Sequence, residues 1–269
     1  MMYGAIAGDI IGSRFEFDRP NWRRDFELFT DECEFTDDTV MTIAIADAVL
    51  NMRKGATEEI YKRNFIERMQ WYGNRFPNAG YGTGFKLWLR MAFPQPYNSF
   101  GNGSAMRVSP IGWMYDDLDK TREVARWSAE VSHDHPEGVK GAESVATAIW
   151  MARNGFKKED IATAMIEIFD YDLSRTVDEY IPEHKHDETC MDSVPKALVA
   201  FLEGEDFEQV IRNAVAMGGD TDTIAAIAGS VSEAMYGVPE EIKQECRKKL
   251  GPVVAEMVDL FERNAGKYN

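Results

Sequence analysis

Apolar residues recur at helical spacing along nearly the whole of this 269-residue chain, and glycines cut the pattern into short pieces. Val40, Ile43, Ala44 and Ala48 form one stripe, and Ile224, Ile227, Ala228, Val231 and Met235 another. Steps of three and four place each set on one face of a helix. Stretches end at Gly55, Gly155, Gly204 and Gly237, then restart at Thr57-Glu58-Glu59, Glu159-Asp160, Asp206 and Pro239-Glu240-Glu241. A glycine behind the last turn and an acidic or proline-led first turn punctuate antiparallel helices with short links. Strand-type alternation is scarce, and no Pro/Ser-rich linker, low-complexity tract or fixed-period repeat divides the chain. The expectation is one compact all-α domain over residues 1–269. Its least regular stretches, 17–35, 74–81, 93–102 and 170–189, are where substrate contacts are to be sought.

Charge narrows the partners. With 46 acidic against 30 basic residues the net charge is −16, which removes any general attraction to nucleic-acid backbones or anionic membranes. An anionic substrate would have to be held locally, by metal ions, helix N-termini or a few placed basic groups. Cys33, Cys190 and Cys246 are too few and too scattered for a disulfide framework or a thiolate zinc site. The N-terminal apolar run has no basic flank and is cut by Asp9, so it does not read as a signal peptide. A cytoplasmic monomer is the default expectation.

Two short clusters carry the strongest chemical signal: Thr36-Asp37-Asp38-Thr39 and Asp220-Thr221-Asp222-Thr223, each at the start of an apolar helix. Helix capping is the plain explanation of either one alone. Together they offer more oxygens than two caps can use, and adjacent like charges are costly unless something positive compensates them. The second also follows Met217-Gly218-Gly219, where backbone can come close to a ligand. An all-oxygen donor set suits hard cations, magnesium, manganese or calcium rather than zinc, and repeated Asp and Thr oxygens suit a two-ion site for hydrolysis. Glu16, just beyond the apolar segment 4–11, is an available acid or base, although spacing alone favours a solvated loop glutamate.

Other motifs are individually ambiguous. Ser99-Phe100-Gly101-Asn102-Gly103-Ser104 and Gly80-Tyr81-Gly82-Thr83-Gly84 are glycine-rich turns that could cradle phosphate oxygens or simply lead into capped helices. Neither is followed by the Gly-Lys-Ser/Thr of a Walker loop. His133 and His135 precede a helix, where an imidazole could meet a phosphate or act as a cap, and His184 and His186 lie in a charged loop. His133-Asp134 superficially matches helical metal phosphohydrolases, but their pattern needs an earlier histidine and none precedes residue 133.

In order along the chain, Gly4-Ala5-Ile6-Ala7-Gly8-Asp9 through Glu16, Phe35-Thr36-Asp37-Asp38-Thr39, Gly101-Asn102-Gly103-Ser104-Ala105-Met106-Arg107, Ser132-His133 and Gly218-Gly219-Asp220-Thr221-Asp222-Thr223 resemble the ADP-ribosylglycohydrolase family. The resemblance implies an orthogonal all-α fold with two divalent cations, Mg2+ or Mn2+, at the base of a cleft. It implies Thr36, Asp37, Asp38, Asp220, Asp222 and Thr223 as metal ligands and Glu16 as the acid/base. By the same resemblance Ser99, Phe100, Gly101 and Asn102 hold a diphosphate with His133 close by, Gly80 and Gly84 lie at a ribose, and Arg107 is structural. The implied reaction is hydrolysis at C1″ of ADP-ribose, releasing it from a modified protein or small molecule, with arginine the favoured acceptor. The alternative is a member of the same fold that binds ADP-ribose without cleaving it.

Overall fold

The computed structural model describes residues 1–17, 24–183 and 185–265. The first half holds α1 (Tyr3–Gly12) with a 3₁₀ turn at Ser13–Phe15, α2 (Asp37–Leu50), α3 (Glu58–Arg75), α4 (Thr83–Trp88), α5 (Gly103–Met106), α6 (Ser109–Met114), α7 (Leu118–Glu130) and α8 (Pro136–Arg153). The second half holds α9 (Lys158–Glu167), α10 (Val177–Tyr180), α11 (Cys190–Glu203), α12 (Phe207–Ala216), α13 (Thr221–Tyr236), α14 (Glu240–Lys249) and α15 (Pro252–Asn264). The all-α expectation holds: among the described residues strand-like pairing is confined to an isolated bridge between Gly101 and Thr189.

Three helices form the centre. Every residue of α1 is buried, as are Asp38–Leu50 of α2 and everything from Thr221 to Glu233 of α13. Helices buried all round need small side chains where their backbones meet, and α1 supplies them at every fourth residue. A Cβ added at Gly4 would lie 2.2 Å from the carbonyl oxygen of Gly229, at Gly8 2.0 Å from that of Ala225, and at Gly12 2.5 Å from that of Thr221. The two helices therefore run antiparallel in backbone contact, pinned at one end by the Thr221 hydroxyl donating to the Gly12 carbonyl at 2.9 Å. This seam fixes the end of α1, and the Glu16 that follows it, against the start of α13.

The glycine punctuation is realised in two ways. Gly155 and Gly237 end their helices at φ of +81° and +74°, the left-handed conformation that glycine adopts without steric cost; Gly55, at φ +82°, lies in a turn beyond Asn51, where α2 has already ended. Gly204 is instead extended, and glycine is needed there because a Cβ would meet Val210 at 2.5 Å. Restarts follow the acidic signals: the Asp206 carboxylate accepts from Gln209 N at 2.8 Å, and that of Asp160 from Lys157 N at 3.1 Å. Two of the stretches expected to be irregular are shorter than read. Residues 74 and 75 finish α3, and 170–189 contains α10, closed by a capping box in which Thr176 and Glu179 exchange side-chain and backbone bonds. Residues 18–23 of the 17–35 stretch lie outside the described residues.

Because its neighbour is backbone, Gly8→Ala should cost about 1–3 kcal/mol through overpacking, read as a lower denaturant midpoint. Gly251→Ala, where a Cβ meets nothing within 4 Å, should stay within about 0.5 kcal/mol of the parent.

Candidate active site

Helix α1 carries a carboxylate that sequence reading did not assign. Asp9 is fully buried and accepts from Thr36 N at 3.0 Å, Thr36 Oγ1 at 2.8 Å, Thr39 N at 3.0 Å and Thr39 Oγ1. Burial pushes its carboxyl up to about 6, against the opposing effect of those bonds. The available signal was the interruption of an apolar run: a carboxylate inside a buried helix must be hydrogen-bonded, and only another segment can bond it. Asp9 thereby fixes the first acidic cluster to α1.

Capping explains part of one cluster and none of the other. Thr36 Oγ1 accepts from Asp38 N at 3.3 Å as the N-cap of α2, while its own hydroxyl donates to Asp9. Asp220 occupies the N-cap position of α13 without capping it; its Oδ2 accepts from Asn102 Nδ2 at 2.7 Å. The preceding Gly218 and Gly219 take φ of +68° and +87°, which turns the chain into α13.

The clusters converge although 185 residues separate their linking pair: Thr223 Oγ1 donates to Asp38 Oδ2 at 3.2 Å. Carboxylate oxygens of Glu16, Asp220 and Asp222 lie within 4.8 Å of one another. Among the described residues no Lys or Arg forms an ion pair with Asp9, Glu16, Asp37, Asp38, Asp220 or Asp222. Burial, then the charge of Asp9, raises Asp37 to about 8; burial and neighbouring carboxylates hold Asp38 and Asp222 well above the usual range. Glu16 is raised to about 7 by burial and by Asp220. Asp38 Oδ1 is buried with no hydrogen-bond partner. An orphaned buried oxygen amid unneutralised carboxylates fits a bound cation, and the all-oxygen donor set fits a hard one.

All six residues expected as ligands, together with Glu16, line a cleft of about 400 Å³. Gly80, Gly84, Ser99, Gly101, Asn102 and His133 line the same cleft. Gly80, at φ +113°, packs so close to Asp37 that a Cβ would sit 2.9 Å from its Oδ1. Asn102 does not cap α5; its amide bridges Ser193 and Asp220. Phe100 departs from expectation: its ring packs edge-on against His135 at 5.2 Å, away from the cleft lining, and its carbonyl accepts from Cys190 N. His135 is the cap of α8, accepting from Glu137 N at 3.1 Å, whereas His133 is buried beside the glycine turn. Arg107 is buried and bonds the end of α7 through Ser128 O and Ser132 Oγ, the structural role expected of it. His186 pairs with Glu188 on the surface, and His184 lies outside the described residues. Four cleft residues were not singled out from the sequence: Glu188, the 84 % exposed Phe17, Tyr97 and the buried Phe85. Exposed loop residues such as Glu188 and Phe17 carry no periodic signal that could have marked them.

Fold and cleft together describe a helical hydrolase with an acidic, cation-compatible centre. The family model for ADP-ribosylglycohydrolase matches residues 1–269, and the chain belongs to that family of glycosidic hydrolases. It is similar to human ADP-ribosylhydrolase ARH3, 27% identical over 90% of this chain and 87% of that one. It is also similar to ADP-ribosylarginine hydrolase Tri1 of Pseudomonas putida strain GB-1, 26% identical over 88% and 70% respectively. A solved structure described as an ADP-ribosylglycohydrolase-related protein complex shares the fold, with TM-score 0.69 and 23% identity over 97% of this chain and 93% of that one. No helix among the described residues is long and apolar enough to cross a membrane.

Asp37 binds its proton more tightly folded than unfolded, since its carboxyl moves from 3.8 to about 8. Its contribution to stability is therefore full below 3.8 and declines as pH rises toward 8. In chelator the protein should melt at a lower temperature at pH 8 than at pH 5.5, and saturating Mg2+ should raise the pH 8 melt by the larger amount.

Proposed function

We propose that this chain hydrolyses the bond at C1″ of ADP-ribose, freeing ADP-ribose from a modified acceptor, with two divalent cations, Mg2+ or Mn2+, as cofactors. The observation that carries this reading is the convergence of two distant acidic segments on one cleft, with Asp38 Oδ1 left unpartnered. Thr36, Asp37, Asp38, Asp220, Asp222 and Thr223 would hold the cations, whose chemistry is to fix sugar hydroxyls and stabilise charge on the reacting ribose. Glu16 is the acid/base: half-buried, close to Asp220 and Asp222, and with a carboxyl near 7, it can hold or release a proton at working pH. The glycine turn at Ser99, Gly101 and Asn102 offers a small-residue wall to the diphosphate, with His133 behind it, and Gly80 and Gly84, which line the same cleft, would lie at the ribose. Holding a dianion with cations and a few local donors suits a chain of net charge −16.

Arginine is the favoured acceptor. Glu188 offers a carboxylate and Phe17 an exposed ring at the same cleft, the pair of groups that receives a planar guanidinium. The arginine-hydrolase relative and the ARH3 relative are about equally similar, so this choice rests on the cleft. All three cysteines are free and buried, in keeping with a reducing, cytoplasmic setting, and we take the working unit to be a monomer.

Asp37→Ala or Asp222→Ala should abolish cation-dependent release of ADP-ribose; near-normal turnover in either would rule the mechanism out. Glu16→Gln should lower kcat by about 10²–10⁴ while ADP-ribose still binds in calorimetry. A panel of arginine-, serine-, nucleobase- and acetyl-linked ADP-ribose should show the arginine linkage cleaved fastest. Binding with no turnover on any linkage would make the chain a binding module instead.

A further inference from the structure

His133 is held in a hydrogen-bond chain that neither the cation site nor the glycine turn requires. Arg107 Nη2 donates to Ser128 O at 2.8 Å and to Ser132 Oγ at 2.9 Å, and Ser132 Oγ lies 2.8 Å from His133 Nδ1. All three side chains are buried: Arg107 is 1 % exposed, Ser132 0 % and His133 5 %. A guanidinium can only donate, so Ser132 Oγ spends a lone pair on Arg107 and keeps its own proton to give. Among the described residues the only acceptor bonded to that hydroxyl is His133 Nδ1, and a buried O–H left without an acceptor is costly.

We propose that Arg107 and Ser132 are positioning residues that lock His133 as the neutral tautomer with its proton on Nε2, so that the ring presents an N–H donor to the glycine turn. Nδ1 accepts from Ser132, and the remaining ring proton must then sit on Nε2. Nε2 faces the turn closely: a Cβ at Gly103 would lie 3.2 Å from it and one at Gly101 3.6 Å. Glycine at both positions leaves the donor uncovered, and the atom has no protein acceptor among the described residues. Burial, and then the nearby Arg107 charge, disfavour an imidazolium and hold the ring well below its ordinary titration range. Arg107 itself has no carboxylate partner among the described residues, so a buried cation stands behind the donor. The ligand chemistry that fits is an anionic oxygen held by a neutral N–H with positive charge behind it; assigning that oxygen to the diphosphate of ADP-ribose rests on the function proposed above.

The test is the imidazole 15N–1H correlation spectrum of 15N-histidine-labelled, full-length protein, with His133→Gln used to assign the His133 signals. The expected result is a pH-independent Nε2–H tautomer between pH 6 and 8, lost or mixed in Ser132→Ala. An Nδ1–H tautomer in the parent, or a Ser132→Ala spectrum identical to it, would overturn the assignment. The parent spectrum decides even if Ser132→Ala does not fold. Adding ADP-ribose then separates the two readings. A shift of the His133 Nε2–H signal, with about tenfold weaker ADP-ribose binding in Ser132→Ala, supports both. A locked tautomer whose signal ADP-ribose leaves unmoved overturns the diphosphate contact and leaves the tautomer standing.

Discussion

The backbone contact between α1 and α13 is the constraint on which the site depends. Gly4, Gly8 and Gly12 let α1 lie against Gly229, Ala225 and Thr221 with no side chain between them. That contact sets where the N-terminus of α13 sits relative to the end of α1, so Asp220 and Asp222 meet Glu16. From the same helix Asp9 bonds Thr36 and Thr39 and fixes the start of α2. One short buried helix therefore positions both acidic segments and the glutamate between them. A larger residue in the seam would displace the cluster as well as loosen the core.

Electrostatics run the other way. Gathering Asp37, Asp38, Asp220, Asp222 and Glu16 in a mostly buried place raises the protonation of several of them and leaves Asp38 Oδ1 unpartnered. Packing energy in the seam holds together groups that repel one another. Strain of this kind is common where a site awaits a ligand of opposite charge. The same cleft is also lined by glycines, by His133 and by the buried Arg107, which has no ion-pair partner among the described residues.

Much of this could be read from the residues. Helix ends followed the glycine and acid signals because caps are local chemistry, and Asp206 bonds only three residues ahead. The two acidic clusters stood out because they exceed what caps can use, and Asp220 indeed leaves its cap unmade. Where sequence reasoning fell short, the deciding partner was distant. Glu16 looks like a loop glutamate until α1 docks on α13. Asn102 looks like a cap until Asp220, 118 residues away, receives its amide. Phe100 is adjacent to cleft residues, but its ring follows His135. Asp9 was visible only as a break in an apolar run, and its partners lie 27 and 30 residues on.

The α1–α13 seam brings together acidic segments that are remote in sequence, and the proposed two-cation centre depends on it. Anomalous diffraction from crystals soaked in Mn2+ tests it without reference to any substrate. Two peaks are expected at the acidic cluster in the cleft, each within about 2.6 Å of carboxylate oxygens drawn from Asp37, Asp38, Asp220 and Asp222. A cleft without peaks at saturating Mn2+, or ions bound only elsewhere on the acidic surface, would contradict it.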